Sequence, residues 1–527
     1  MKKIIIFFYI CIPLIATARK PDFSKAWWKQ KGCLVFYPED LRQQYQIPVF
    51  SKKQMYKDFD AFVKIMKHCN PQYEVRKQAT GYDMIENIRV TRSHIDTITN
   101  ITSFVNLLND IMFLSKDEHC YSDPIALLYF CEDYRNDTRF LKPSNRDLGW
   151  NFHYRKLRHQ LNKNYNYLYV KYIKGNYYTL FPVTVYHGND STLLHAMSKM
   201  IAINDLPASS FSRADNPYAK KYDFEHETYY TDYFRFLKGK KRLLIEHDGR
   251  EKMLVCDSLK TNIPSWDMPG NRKHEVHYLD NDSLLYIRLP HMNISMVRDI
   301  KDSIFVFKNK PVKAVIVDIR GNEGGNDDAW HQLVSSLSGT TLSFPIISVS
   351  TPDYYMVKKR FGCKGKREVT FPFLHETRKY YKLYMDSTFC ISPDTINLNY
   401  NGIIYVLIDE DIASSAGVFA SLSTKTNRVK TVGMPTGQLH GAGPTPSFFM
   451  LPESRLLFQI DLVLDAVNVH SAIDFYHDKP TYPVKPSLNY YKWYYTRDHT
   501  RGMNIEEMYE KDDVFRETLK IIKNESR

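Results

Sequence analysis

The stretch KAVIVDIRGNEGGNDDAW, residues 313–330, decides how the rest of the chain is read. Its first half, Ala314 to Val317, is an unbroken apolar run rich in β-branched residues, the pattern of a strand buried on both faces. It then breaks into a turn holding Asp318, Arg320, Asn322 and three glycines, with a helix expected after Asp327. Glycines reach positive φ freely and place no Cβ between the main chain and a ligand, so backbone N–H groups of such a loop are able to converge on an anion. The loop is not a dinucleotide fingerprint or a P-loop, because the glycine spacing differs and no Gly-Lys-Ser/Thr follows. A mere tight turn fits the same residues.

Outward from this strand, the pattern repeats. From about residue 280, apolar strands alternate with amphipathic helices: SLLYIRL, a helix near 293–307, KAVIVDI, a helix after Asp327, SFPIISVS, GIIYVLID, a helix from about 414, then VKTVGMPT. That alternation predicts an α/β layer structure built from crossover units. Residues 52–115 carry apolar positions three and four apart and read as a helical region, and residues 165–260 read as a small, tyrosine-rich β module. There is no internal repeat, low-complexity tract or long linker.

In GIIYVLIDEDIASSAGVFASL, residues 402–422, a second strand leads through a polar turn into a helix opening on Ser414 and Ser415. A hydroxyl there sits where the helix dipole and free N–H groups stabilise developing negative charge. One of the pair is equally suited to capping the helix.

Composition bounds the function classes. Apolar residues make up 43% and charged residues 25% of 527, so a globular chain of several modules is expected. Lys2 and Lys3, an apolar run to Ile15 and Ala16-Thr-Ala18 have the form of a cleaved secretion signal over residues 1–18, too short an apolar run to span a bilayer. No second such run follows, so an exported protein, periplasmic or secreted and without an integral span, is expected. The net charge of +13 is spread along the chain, with only short clusters such as Lys238-Gly-Lys-Lys-Arg242, which argues against nucleic acid as a partner. Outside the signal, seven cysteines are dispersed without any C-x-x-C spacing, so neither a zinc site nor a disulfide framework is expected, although one or two bridges fit.

Six blocks, in family order along the chain, resemble peptidase family S41, the C-terminal-processing and tricorn-core serine peptidases. Asp318-Ile-Arg-Gly-Asn-Glu-Gly-Gly325 is similar to the family's Asp-Leu-Arg-Gly-Asn-Gly-Gly-Gly block, Ile412-Ala-Ser-Ser-Ala-Gly417 to its nucleophile block, and Val432-Gly-Met-Pro-Thr436 to the strand that follows. MYKDFDAFVKIMKHCNPQY resembles the family's N-terminal helix, MSKMIAINDLPASSF a segment of its PDZ-like module, and EKDDVFRETLKII its usual ending. The resemblance implies a ClpP/crotonase-like α/β core over 275–527, a PDZ-like module over 165–262 and a helical region over 19–160. It implies an exported serine endopeptidase acting on polypeptides with no cofactor or metal. Ser414 would be the nucleophile, and the amides of Gly324 and Ser415 would form the oxyanion hole, with Asp318 and Arg320 bracing the turn.

The base is less direct. The processing branch has a lysine after the Pro-Thr strand, but its position falls on Leu439 here, with His440 next to it. The tricorn-like branch uses a histidine from an Asp-Gly-His-Thr segment, which FLSKDEHCYSD resembles, so His119 is the expected base and His440 its rival. An orienting acid is expected in SAIDFYHDKPTYPVKP, at Asp474 or Asp478. Two positions depart from the family: Gly417 replaces a glutamate and Glu323 a glycine. They motivate an alternative, a decayed S41-like scaffold that binds peptides or hydrophobic ligands. An acyl-CoA enzyme of the crotonase type would share the core but conflicts with export.

Overall fold

The computed structural model describes residues 45–122, 143–264, 272–351, 368–374, 381–436, 447–476, 479–498 and 501–525. The expected signal segment, Cys33, Cys131, Cys363, His440 and Asp478 lie outside these. Among the described residues Cys69, Cys120, Cys256 and Cys390 are free thiols, and no helix is long and apolar enough to cross a membrane.

The chain is mixed α/β. Its centre is a six-stranded sheet in the order 275–279, 284–288, 314–318, 404–408, 429–433, 482–483. The first pair is antiparallel and the remaining pairs are parallel. Strand Ala314–Asp318 lies inside it, with all five residues buried, as its unbroken apolar run requires. Alternate residues face opposite sides. Leu285, Ile287, Val315, Val317 and Val406 pack under helices Ile294–Phe305, Asp327–Leu337 and Ser415–Ser421. Leu284, Tyr286, Ile316, Tyr405 and Leu407 pack against the C-terminal helices Leu488–Thr496 and Asp513–Glu525.

The N-terminal region is helical, as its periodicity predicts. Ser51 opens Lys52–Cys69 with a capping box to Gln54, and Asn100 caps Ile101–Leu114. The core of this layer also takes Phe449, Leu451, Phe458 and Ile460 from the hairpin Ser447–Met450 and Leu457–Ile460, so a late segment of the chain completes an early one. Between them, residues 165–261 form a seven-stranded sheet, which includes Tyr165–Ile173, a three-stranded one and the two-stranded pair Lys221–Asp223 and Thr228–Tyr230.

The parallel strands end together. Arg288 pairs in register with Asp318, and Asp318 with Leu407, so the turns following these strands meet at one edge. Open α/β sheets bind ligands outside the carboxyl ends of their strands.

Candidate active site

The turn after Asp318 is braced by buried charge. Asp318 accepts from Arg320 Nε at 2.9 Å and Nη2 at 2.7 Å, from Arg288 Nη1 at 2.7 Å, and from the Tyr286 hydroxyl at 2.8 Å. Burial would raise its carboxyl, but the two guanidiniums outweigh that and hold it well below the usual range. Arg320 turns its other face to Asp512, at 2.9 and 2.8 Å.

Beyond this brace the chain passes Gly321 (φ +68°) and reaches Asn322, which is fully buried and donates Nδ2 to Leu289 O at 2.9 Å. Gly324 follows at φ +98° and lies directly on the second turn. A Cβ there would stand 2.7 Å from both Ala413 O and Ser414 Cβ, so only glycine fits. The Gly324 amide donates to Asn322 Oδ1 at 2.8 Å.

Ser414 holds the turn between strand Ile404–Ile408 and helix Ser415–Ser421 at φ +51° and ψ −126°, makes no side-chain cap, and is half-buried. A non-glycine residue in this region stores strain, which is concentrated at functional sites. A strained serine on a strand–turn–helix is the arrangement of a nucleophile elbow. Ser415 is buried, and its hydroxyl has no partner among the described residues, so the adjacent serines are physically distinct. The Ser415 amide opens the helix and likewise has no partner among the described residues.

His119 reaches the same place from the N-terminal region. It and Ser414 line one cavity of about 720 Å³, together with Glu323 of the glycine loop. The antiparallel bridge between Tyr121 and Gln459 lays the His119 segment along strand Leu457–Ile460 and brings His119 opposite Asp461. His119 Nδ1 lies 2.8 Å from Asp461 Oδ2, leaving Nε2 without a partner among the described residues. Burial would lower the imidazole, but the Asp461 charge and hydrogen bond outweigh it and raise the pKa to about 9. Asp117 fixes the loop from inside, accepting from the His119 amide at 2.9 Å and from Asn70 Nδ2 at 3.1 Å.

Asp117, His119 and Asp461 also offer three ligand atoms within 4.8 Å of one another. Both Asp117 oxygens already accept N–H groups, from the His119 main chain and Asn70, while Asp461 alone holds the imidazole.

Asp461 is the residue that sequence reasoning missed. Asp474 serves elsewhere: it accepts from the His470 amide at 3.0 Å and from Lys479 at 3.1 Å at the start of helix Ala472–Tyr476. The one local signal for Asp461 is a carboxylate placed immediately after a fully buried strand.

Two lysines from the β module also line the cavity, and both are committed to acids near Ser414. Lys171 binds Glu410 at 2.7 Å and Asp411 at 2.6 Å, while Lys221 binds Asp411 at 2.7 Å and Asp232 at 3.0 Å. Burial would lower both ammoniums, but these carboxylates hold them well above their ordinary value, so neither is a neutral base. They tie the β module to the segment that delivers Ser414.

With this geometry in place, the comparisons with known proteins are specific. Residues 283–459 match the family model for peptidase family S41. No curated protein matches the chain. Among solved structures, mature CPAF complexed with lactacystin aligns with a TM-score of 0.55 at 14% identity, over 90% of this chain and 99% of that one. Mature CPAF alone gives 0.53 at 13% identity, over 85% and 97%. At these identities the structural likeness is one of fold. The match to the family model carries the likeness further: over residues 283–459 the chain is similar to peptidase family S41, a family of serine peptidases.

Proposed function

We propose that the chain is an exported serine endopeptidase that hydrolyses polypeptides through Ser414, His119 and Asp461, with a ClpP/crotonase-like core and a PDZ-like module over 165–262. The observation that carries this reading is the cavity shared by a strained, half-buried serine and a histidine whose other nitrogen is held by a carboxylate. Ser414 Oγ attacks the peptide carbonyl while His119 Nε2 takes its proton; Asp461 orients the ring and stabilises the imidazolium. The C–N bond then breaks, and the Nε2 proton goes to the leaving amine. Water, giving a proton to the same nitrogen, attacks the ester carbonyl; the C–Oγ bond breaks, and that proton passes to Ser414 Oγ as the acid is released.

The tetrahedral oxyanion is received by the Ser415 amide and, across the narrow gap to the glycine loop, by the Gly324 amide. Asn322 Oδ1 occupies the Gly324 amide without substrate, so the oxyanion competes with it for that proton. Gly324→Ala drives a Cβ against Ser414 and Ala413 O. Alanine keeps its amide N–H but pushes it out of place, so kcat is expected to fall by about 10²–10³-fold, the usual effect of losing one oxyanion donor, and the strained φ lowers the melting midpoint as well. Wild-type turnover in that variant would remove the loop from the mechanism.

The base requires His119 to be neutral. Its raised pKa means that kcat/KM climbs with pH and levels off only above about 9. Asp461→Asn removes the charge that raises it, leaving burial to pull the value down. The inflection then moves toward or below the ordinary 6.5 while kcat falls by about 10⁴-fold. A profile that keeps its inflection in the variant would show that Asp461 does not act on the base.

A further inference from the structure

We infer that Glu323 is a specificity-determining residue that selects polypeptides with a basic side chain beside the scissile bond and disfavours acidic ones; the inference rests on the peptidase reading above. Its backbone is fixed on both sides. Asn322 accepts the Ala413 amide on its carbonyl at 3.1 Å, and the Gly324 carbonyl accepts the Met292 amide at 3.0 Å. Asn322 and Gly324 are buried while Glu323 is exposed, so the loop presents this one side chain from a rigid base. It lines the cavity that holds Ser414 and His119, and its immediate neighbour touches the Ser414 Cβ position.

The other cavity charges are largely cancelled. Lys171 and Lys221 are neutralised by Glu410, Asp411 and Asp232, and Arg288 by Asp318. Arg272 gives Nη1 to the Gly321 carbonyl at 2.7 Å, at the opposite end of the loop. Glu118, beside the base, is paired only loosely with Lys220 at 3.7 Å and is 38% exposed. The Glu323 carboxylate has no hydrogen-bond or ion-pair partner among the described residues; it shares the cavity wall with the Arg272 guanidinium, both acting on the His291 imidazole, and is the exposed anion that an incoming peptide side chain meets beside Ser414. A peptide entering the cavity displaces water and weakens screening, which strengthens attraction to a lysine or arginine and repulsion of an aspartate or glutamate. The S41 block to which this loop is similar has glycine at this position, so the selectivity belongs to this chain's own substitution.

The test uses the purified protein. Cleavage sites in unfolded casein are mapped by mass spectrometry, and quenched peptides are made from the best site with Lys, Gln or Glu on either side of the cut bond. The readout is the ratio of kcat/KM between peptides, which is independent of the active fraction of each preparation. Wild type is expected to prefer Lys over Glu by about tenfold or more. Glu323→Gln should bring the ratio toward one, and Glu323→Lys should invert it; the isosteric Gln variant decides the matter where charge reversal abolishes cleavage. Equal ratios in wild type and active variants overturn the inference and leave the peptidase reading standing. A wild-type chain that neither cleaves casein nor reacts with a fluorophosphonate overturns both.

Discussion

Ser414→Ala is expected to reduce hydrolysis of an unfolded protein by about 10⁶-fold, the largest functional effect available in this chain. In the proposed mechanism the serine and His119 act as one unit, so His119→Ala should cost a similar factor, and the double variant little more. Ser415→Ala is the control that sequence alone does not supply. Its hydroxyl is buried without a partner among the described residues, so losing it removes an unsatisfied polar atom and is expected to leave turnover within a few-fold of wild type. Steady-state cleavage of a quenched substrate by the four proteins checks this. Comparable losses at both serines would mean that the turn is merely fragile, and a fully active Ser414→Ala would remove the nucleophile from the account.

The largest effect on stability is expected at Arg320. It is fully buried, with one edge on Asp318 and the other on Asp512. Asp512 also accepts the Val514 and Phe515 amides at 3.1 and 3.0 Å, anchoring the start of the C-terminal helix. Arg320→Ala would leave carboxylates buried with reduced compensation, and removing one partner of a buried pair costs about 3–5 kcal/mol. Arg320→Lys keeps the charge but not the two-sided fork, so an intermediate loss is expected. The sign with pH follows from Asp318, whose folded pKa is depressed. Its contribution is present above about pH 4, its unfolded value, and is lost as pH falls toward the folded one. Urea midpoints for wild type and both variants at pH 7 measure the loss. A change below about 1 kcal/mol in Arg320→Ala, the size of an ordinary substitution, would show that the network does not hold the turn.

Much of this architecture is legible in residue order, because its signals are local. The apolar runs of Ala314–Asp318 and Ile404–Ile408 have no polar face and fold as internal strands. The expected helix near 293–307 is observed as Ile294–Phe305, under an Asn293 cap. The resemblance to the S41 blocks led to Ser414 and His119, which the fold brings to one cavity.

The parts that were not legible depend on contacts between distant segments. Asp461 meets His119 across 342 residues through the pairing around Tyr121 and Gln459, which no local pattern announces. Asp474, one of the two acids expected from residue order, is instead a helix-start residue. Asp409, Glu410 and Asp411 read as a polar turn, but Glu410 and Asp411 are the partners of two lysines from the β module. Asp318 and Arg320 were legible as a brace, but the other anchor, Asp512, comes from the far end of the chain.

The central claim, that Ser414 is an activated nucleophile, is tested most directly by reacting the protein with a fluorophosphonate and locating the adduct by peptide mass spectrometry. The account predicts a single adduct on Ser414 Oγ, absent in Ser414→Ala and strongly slowed in His119→Ala. An adduct on Ser415 or elsewhere, or labelling that survives unchanged in Ser414→Ala, would contradict it.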